Sequence, residues 1–303
     1  EKYFKTTVTS LDDLFSLRED KVVSWSEKML ARCISKETYR IRQASMASMY
    51  AAITVNLSHL ASYTITRLIA RGVMEIKTDV FHRVLYLALK NLQAAPNIHL
   101  HRSLFWPDRY RGLLDGVSVE LSRFLNTCRI SGLLERSAQS YLFTDKLCEH
   151  QEFDDIRLEN PLRVYANEVS PIREVQETVE AALEESRTVS DMKLASFLFD
   201  DELRAHSWNK EHFTTPRYQD INVQETAGQS GAPFLLLPEK HVRKGVLLVH
   251  GFLASPAELA EYGHTLSAKG YAVLGVRLDG HGTSPWDLKA RTWQQWLNSV
   301  RRG

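Results

Sequence analysis

Gly245-Val246-Leu247-Leu248-Val249-His250-Gly251-Phe252 is the stretch on which the fold turns. Its first five residues form a short, continuous apolar run, the pattern of a strand buried on both faces of a parallel sheet. Ser255-Pro256-Ala257-Glu258 follows with the signature of a helix start. Ser255 suits the N-cap, Pro256 the first helical position, and Glu258 completes a capping box. Leu259, Tyr262 and Leu266 supply a buried stripe, and Gly270 stops the helix at about residue 269. Residues 271–278 read as a second strand. Strand, helix, strand predicts a right-handed parallel crossover. Sheets of this kind bind ligands at the carboxyl ends of their strands. His250-Gly251-Phe252 and Asp279-Gly280-His281-Gly282 both fall there.

Toward the N-terminus, Ile221, Val223 and Thr226 read as a strand. A Gly-rich turn at Gly228-Gln229-Ser230-Gly231 and a return strand over 234–237 follow, which together predict a hairpin. Residues 186–217 read as the passage between domains. Before them, Ser170-Pro171 is expected to open a helix with Val175, Val179 and Leu183 inward and Glu174, Glu177, Glu180, Glu184 and Glu185 mostly on the solvated side. Residues 149–160 form an acidic connector.

Residues 1–210 read mostly as helix. One helix is expected over 79–92, closed by Pro96. Another follows Pro107-Asp108, with Leu113, Leu114, Val117, Leu121, Phe124, Leu125 and Cys128 on one face and Gly132 as its cap. Leu133 to Arg136 and Tyr141 to Thr144 then make a small hairpin. Helix plus hairpin is the outline of a winged-helix-like unit. No Lys/Arg cluster marks the helix, so it reads as a structural unit and not as a DNA reader. The expected fold class is a mainly α N-terminal region followed by the incomplete front half of an α/β sheet. The domains are 1–150, helical; 151–217, acidic connector and linker helix; and 218–303, the sheet.

The chain has 303 residues and a net charge of +1, which gives no global attraction for nucleic acid. Cys33, Cys128 and Cys148 are too few and too widely spaced for a metal or redox motif, and an odd number argues against a disulfide framework. No metal or cofactor is called for, and a reduced, cytoplasmic setting is expected. No apolar run reaches the ~18 residues of a membrane span. The first residues do not form a signal peptide. Both ends read as cuts in a longer polypeptide.

Val246 to Phe252 and Leu278-Asp279-Gly280-His281-Gly282-Thr283-Ser284, with Trp293 and Trp296-Leu297, resemble the α/β-hydrolase superfamily, nearest its monoacylglycerol-lipase and carboxylesterase-like branch. The resemblance spans about residues 218–303. It implies a serine hydrolase acting on an acyl ester or glycerolipid, with peripheral contact at the inner face of a membrane. It also implies that Phe252 lends its backbone N–H to an oxyanion hole, with His250 and Gly251 shaping that loop and Asp279, Gly280, His281 and Gly282 the supporting loop. The triad of this superfamily runs Ser, acid, His in chain order, all later than this point. His281 is therefore not the catalytic base and is expected to hold its loop by hydrogen bonding. His264 is expected at the surface. The Gly-x-Ser-x-Gly nucleophile elbow is absent from the sequence. Ser230 lies in a near-match that lacks the final Gly, and it is assigned no catalytic role. The chain alone is expected to be inactive.

Residues 40–165 resemble the C-terminal region of bacterial glycerol-3-phosphate acyltransferases. The likeness rests on Ala51-Ala52-Ile53-Thr54-Val55-Asn56-Leu57, on the helix and hairpin of 113–144, and on Asn160-Pro161-Leu162-Arg163-Val164-Tyr165. His150 and Asp155 have the spacing of that family's His-x-x-x-x-Asp pair but follow the region of likeness, so they read as chance. Two other readings stand beside the hydrolase: an acyltransferase tail with an accessory hydrolase domain, and a non-catalytic helical interaction module.

Overall fold

The computed structural model describes residues 24–149, 159–223, 230–238, 242 and 244–303. The chain divides into two compact units, Glu1–Ala51 and Ala52–Gly303. In the first unit, helix α1 (Trp25–Ala51) has no buried residue and exposes Trp25, Leu30, Ile41 and Met49. No helix among the described residues is long and apolar enough to cross a membrane.

The second unit opens with strand β1 (Thr54–Val55) and helix α2 (Leu57–Ala70). Asn56 caps α2: its Oδ1 accepts the His59 N–H at 3.0 Å, while His59 Nδ1 accepts the Asn56 N–H at 3.1 Å. That reciprocal pair satisfies two of the amide groups left over at a helix start. Strand β2 (Glu75–Lys77) leads into α3 (Thr78–Ala94), the helix expected over 79–92, and β3 (His99–Leu100) pairs parallel with β1. Val84, Leu85, Leu89 and Leu92 of α3 are fully buried.

The helix expected after Pro107 is broken. A short helix α4 (Pro107–Tyr110) and a 3-10 turn (Arg111–Leu113) end at Gly116, whose φ of +71° reverses the chain. Helix α5 (Val119–Ile130) then starts afresh from the Ser118 cap. The break turns Val117 out to solvent, while Leu113, Leu121, Phe124, Leu125 and Cys128 are buried as expected. Burial pushes the Cys128 thiol up to about 12. Gly132, at φ +70°, ends α5, and Leu133 N–H returns to Cys128 O at 2.9 Å. The hairpin of β4 (Leu134–Arg136) and β5 (Ser140–Phe143) follows, and β2 adds to its other side in an antiparallel β2-β5-β4 sheet.

Helix α6 (Pro161–Val169) is capped by Asn160. Ser170 does not open the next helix. Its N–H closes α6 on Ala166 O, and α7 (Arg173–Glu185) begins after Ile172 with no side-chain cap. Val175, Val179 and Leu183 of α7 are buried as expected. The acidic face is not all solvated, however. Glu180 takes Arg67 of α2 and Arg71 at its C-terminal cap, and Glu184 takes Arg71 at 2.8 Å. These helices and the β2-β5-β4 sheet share one apolar core running from Val55 to Leu183.

Residues 186–217 are mostly one helix. Ser190 caps a 23-residue helix, α8 (Asp191–Phe213). The expected strand at 221–223 is helical instead, because a 3-10 turn at Pro216–Tyr218 runs straight into α9 (Gln219–Asn222). Asn222 is tied at both ends of its amide: Nδ2 donates to Phe213 O at 2.6 Å, and Oδ1 accepts from Ser284 at 2.5 Å. Two β-branched residues cannot outweigh those tertiary bonds. The expected turn at 228–229 lies outside the described residues.

The last sheet has the order β6-β8-β7. Strands β7 (Gly245–Val249) and β8 (Ala272–Val276) are parallel, with Val249 opposite Val276, whereas β6 (Phe234–Leu236) is antiparallel to β8. Strand β7 sits at an edge and is not buried on both faces; Val249 is 44% exposed. Between β7 and β8, a 3-10 turn (Pro256–Leu259) leads into α10 (Ala260–Ala268). The expected capping box does not form. Ser255 instead binds this tight first turn through its carbonyl, which accepts the Glu258 N–H at 3.2 Å. Tyr262 is exposed, and Gly263 is the position that faces the sheet. A Cβ there would lie 2.9 Å from the Phe234 ring, so any larger residue requires that ring or the helix to shift. Gly270, at φ +90°, ends α10 as expected. Helices α11 (Pro285–Lys289) and α12 (Trp293–Arg302) complete the described chain.

Candidate functional site

Parallel pairing of β7 and β8 in this register delivers His250-Gly251-Phe252 and the 279–282 loop to the same sheet end. His250 is buried. Its Nε2 accepts the Leu278 N–H at 3.2 Å, so the ring proton sits on Nδ1 and is donated to Gly251 O at 2.9 Å. Burial holds its pKa below the ordinary 6.5, consistent with a neutral ring. His250 is thus a spacer that stitches one loop to the other strand.

His281 is only 2% exposed, and neither ring nitrogen has a hydrogen-bond partner among the described residues. It does not hold its loop by side-chain hydrogen bonds. It acts through its ring, 4.9 Å from His250, 5.4 Å from Trp296 and 6.1 Å from Phe252. Phe252 also meets Trp296 at 5.7 Å. Burial, and after it the neighbouring His250, lowers the His281 pKa.

Phe252 itself is 66% exposed. The next residue, Leu253, has φ +65°, a left-handed conformation uncommon for a side chain of this size. Ala254 N–H closes the turn on Gly251 O at 3.2 Å. The turn and the ring contacts over-determine a backbone that would otherwise relax.

Asp279 is held on several sides. Its N–H donates to Ser299 Oγ at 3.2 Å, its carbonyl accepts Trp296 Nε1 at 2.9 Å, and its carboxylate accepts Arg302 at 3.3 Å. Gly280 and Gly282 adopt φ +88° and +68°. A Cβ on Gly282 would lie 2.2 Å from the Gly231 Cα, so two backbones touch there. Arg277, 1% exposed, donates Nη1 to His281 O at 3.2 Å.

Residues that the sequence did not flag hold this loop from behind. His206 of α8 meets Gly282 O at 3.3 Å. Glu202 of α8 accepts Arg302 at 2.7 Å and Arg111 at 3.1 Å. The adjacent Asp201 is buried and accepts Lys90 at 2.6 Å, Tyr86 at 2.6 Å and Tyr110 at 2.7 Å. Burial first, and then the Asp201 charge, raises both tyrosine pKa values. The partners lie about a hundred residues apart, and no local spacing marks them. The acidic run Asp200-Asp201-Glu202 within α8 is the one signal in the sequence, and it reads as a solvated face.

Ser230 is exposed, and its Oγ accepts the Ala232 N–H at 3.3 Å. His264 is exposed. His150 and Asp155 lie outside the described residues.

A stretch of 59 residues is 41% identical to the thermostable monoacylglycerol lipase of Bacillus sp. (strain H-257). Part of this chain is similar to a lipase. The match takes in 20% of this chain and 24% of that enzyme. A solved structure among two metagenome-derived lipolytic enzymes is 32% identical over 24% of this chain and 28% of its own, with a TM-score of 0.22, too low to bear on the fold. The chain thus spans about a quarter of the length of the lipolytic proteins it matches. No protein-family model matches it.

Proposed function

We propose that residues 230–303 are the oxyanion-loop portion of an α/β-hydrolase domain whose substrate is a carboxylic ester of the acylglycerol kind. The observation that carries the reading is the His250-Gly251-Phe252 turn at the carboxyl end of β7. It is braced by His281 and Trp296 and strained at Leu253. An oxyanion hole needs a backbone N–H fixed before charge develops, and a braced turn at a strand end supplies that rigidity. Local identity to a monoacylglycerol lipase supports the ester class. The edge position of β7 among the described strands, with Val249 exposed, supports a sheet able to take a further strand there.

No Gly-x-Ser-x-Gly elbow occurs in these 303 residues, so the nucleophile that this mechanism requires has no place among them. An oxyanion loop without a nucleophile retains little catalysis. The chain as given should therefore turn over no short-chain p-nitrophenyl ester and take up no fluorophosphonate. A full-length protein that adds an elbow should be labelled at that elbow serine. Stoichiometric labelling of the 303-residue chain at Ser230 would place the site elsewhere and overturn the assignment.

A further inference from the structure

A second surface involves α8, α4 and the segment before α4. The Trp106 and Trp208 rings stack with centroids 5.6 Å apart and planes 10° from parallel. Each carries an arginine: Arg109 lies 4.8 Å from the Trp106 centroid, and Arg102 lies 5.5 Å from that of Trp208. Both indoles are partly exposed and both arginines are exposed. Among the described residues neither arginine has a carboxylate partner, and the nearby Asp108 is already engaged by Arg111. A guanidinium lying on an indole keeps its N–H edges outward, in a fork that fits a phosphate. An indole with an apolar body and a polar N–H is the side chain that settles at a bilayer's headgroup layer.

We propose that Arg102, Trp106, Arg109 and Trp208 form a patch that docks the protein on an anionic phospholipid surface. The arginines take headgroup phosphates, and the indoles enter the headgroup layer. Charge complementarity favours this occupant: two unpaired cations flank an aromatic pair, and the cations have no acid of their own to satisfy. A single-stranded nucleic acid fits less well. The indole faces already take each other and the arginines as stacking partners, which leaves no open face for a base. The proposal stands on the helical part of the chain and needs no hydrolase activity.

The test is co-sedimentation of the full 303-residue chain with phosphatidylcholine vesicles and with vesicles containing phosphatidylglycerol. Binding should appear with the anionic lipid, weaken with salt, and fall about fivefold for each of Arg102→Gln and Arg109→Gln. Both sites are exposed, so the thermal midpoint should hold. The paired substitutions Arg102→Lys and Arg109→Lys keep the charge but lose the fork, so their binding should fall between that of the parent chain and that of the glutamine pair. Equal binding to both vesicles would overturn the proposal, as would a double glutamine variant that binds normally. A lysine pair that binds no better than the glutamine pair would also overturn it. So would saturable binding of single-stranded RNA at the same residues. Binding lost instead through Lys28→Gln and Arg32→Gln would move the docking surface to α1 and overturn this assignment.

Discussion

At the scale of single residues, Phe252 carries the functional argument, and its backbone and ring have separable duties. The N–H is the candidate oxyanion donor, and the ring is packed on His281 and Trp296. In a protein containing this chain together with a nucleophile elbow, Phe252→Pro deletes the N–H. Its kcat should fall roughly a hundredfold or more, with KM little changed, because the bond strengthens as charge develops. Phe252→Ala keeps the donor but loses the ring contacts, so its fall should be clearly smaller. Thermal unfolding measured beside the kinetics separates lost chemistry from a collapsed loop. A folded proline variant with near-normal kcat would remove the loop from the mechanism. His281 shows the limit of reasoning from residue type: an imidazole at a loop suggests hydrogen bonds, yet ring packing is what this one supplies.

At the scale of elements, local signals worked where they matched the packing and failed where tertiary bonds competed. The parallel pair β7 and β8 was legible in the apolar run and the Gly270 stop, because strand length and chain reversal are local properties. The capping box at Ser255 was not, because Pro256 opens a 3-10 turn that uses the backbone carbonyl instead of the hydroxyl. The buried stripe of α10 was misplaced for a related reason: a glycine faces the sheet. Gly263→Val should push α10 off Phe234 and Leu236 and lower stability by about 1–3 kcal/mol, read by urea unfolding. A variant as stable as the parent chain would mean that Phe234 can swing aside, and that the close helix–sheet contact contributes nothing to stability.

At the scale of the whole second unit, an apolar core ends at Leu183, and the junction to the last sheet is polar. Glu202 joins Arg111 to Arg302, Arg302 reaches Asp279, and His206 reaches Gly282. Lys90 and Asp201 form a buried ion pair beside it. Such a junction depends on protonation. Burial lowers the pKa of His82, His206, His250 and His281 below the ordinary 6.5. Their neutral forms suit the fold, and the unfolded chain binds protons first. Stability from these groups is therefore complete above pH ~7.5 and is lost as pH falls through 6.5 toward the depressed folded values. Asp200 and Glu180 add a second loss at lower pH. Burial works to raise both, but Lys90 and Arg204 hold Asp200 below its ordinary 3.8, and Arg67 and Arg71 hold Glu180 below 4.5. The urea midpoint should drop steadily from pH 7.5 to 5, with proton uptake on unfolding. A flat midpoint across that range would contradict the neutral assignment.

The sequence by itself determined the mainly helical character of the chain before the last sheet, the helix α3, the buried stripes of α5 and α7, the parallel β7–β8 pair, and the meeting of two glycine-containing loops at one sheet end. Those features follow from periodicity, caps and strand direction, which span only a few residues at a time. The tertiary structure alone decided that α8 is one 23-residue helix, that α9 is a helix, and that Glu202, His206 and Arg302 back the loop. Each depends on partners far apart in sequence: Asn222 with Ser284, Glu202 with Arg111 and Arg302, and His206 with Gly282. No local pattern carries such pairings, because a buried charge is tolerated only where the completed fold brings its counter-charge.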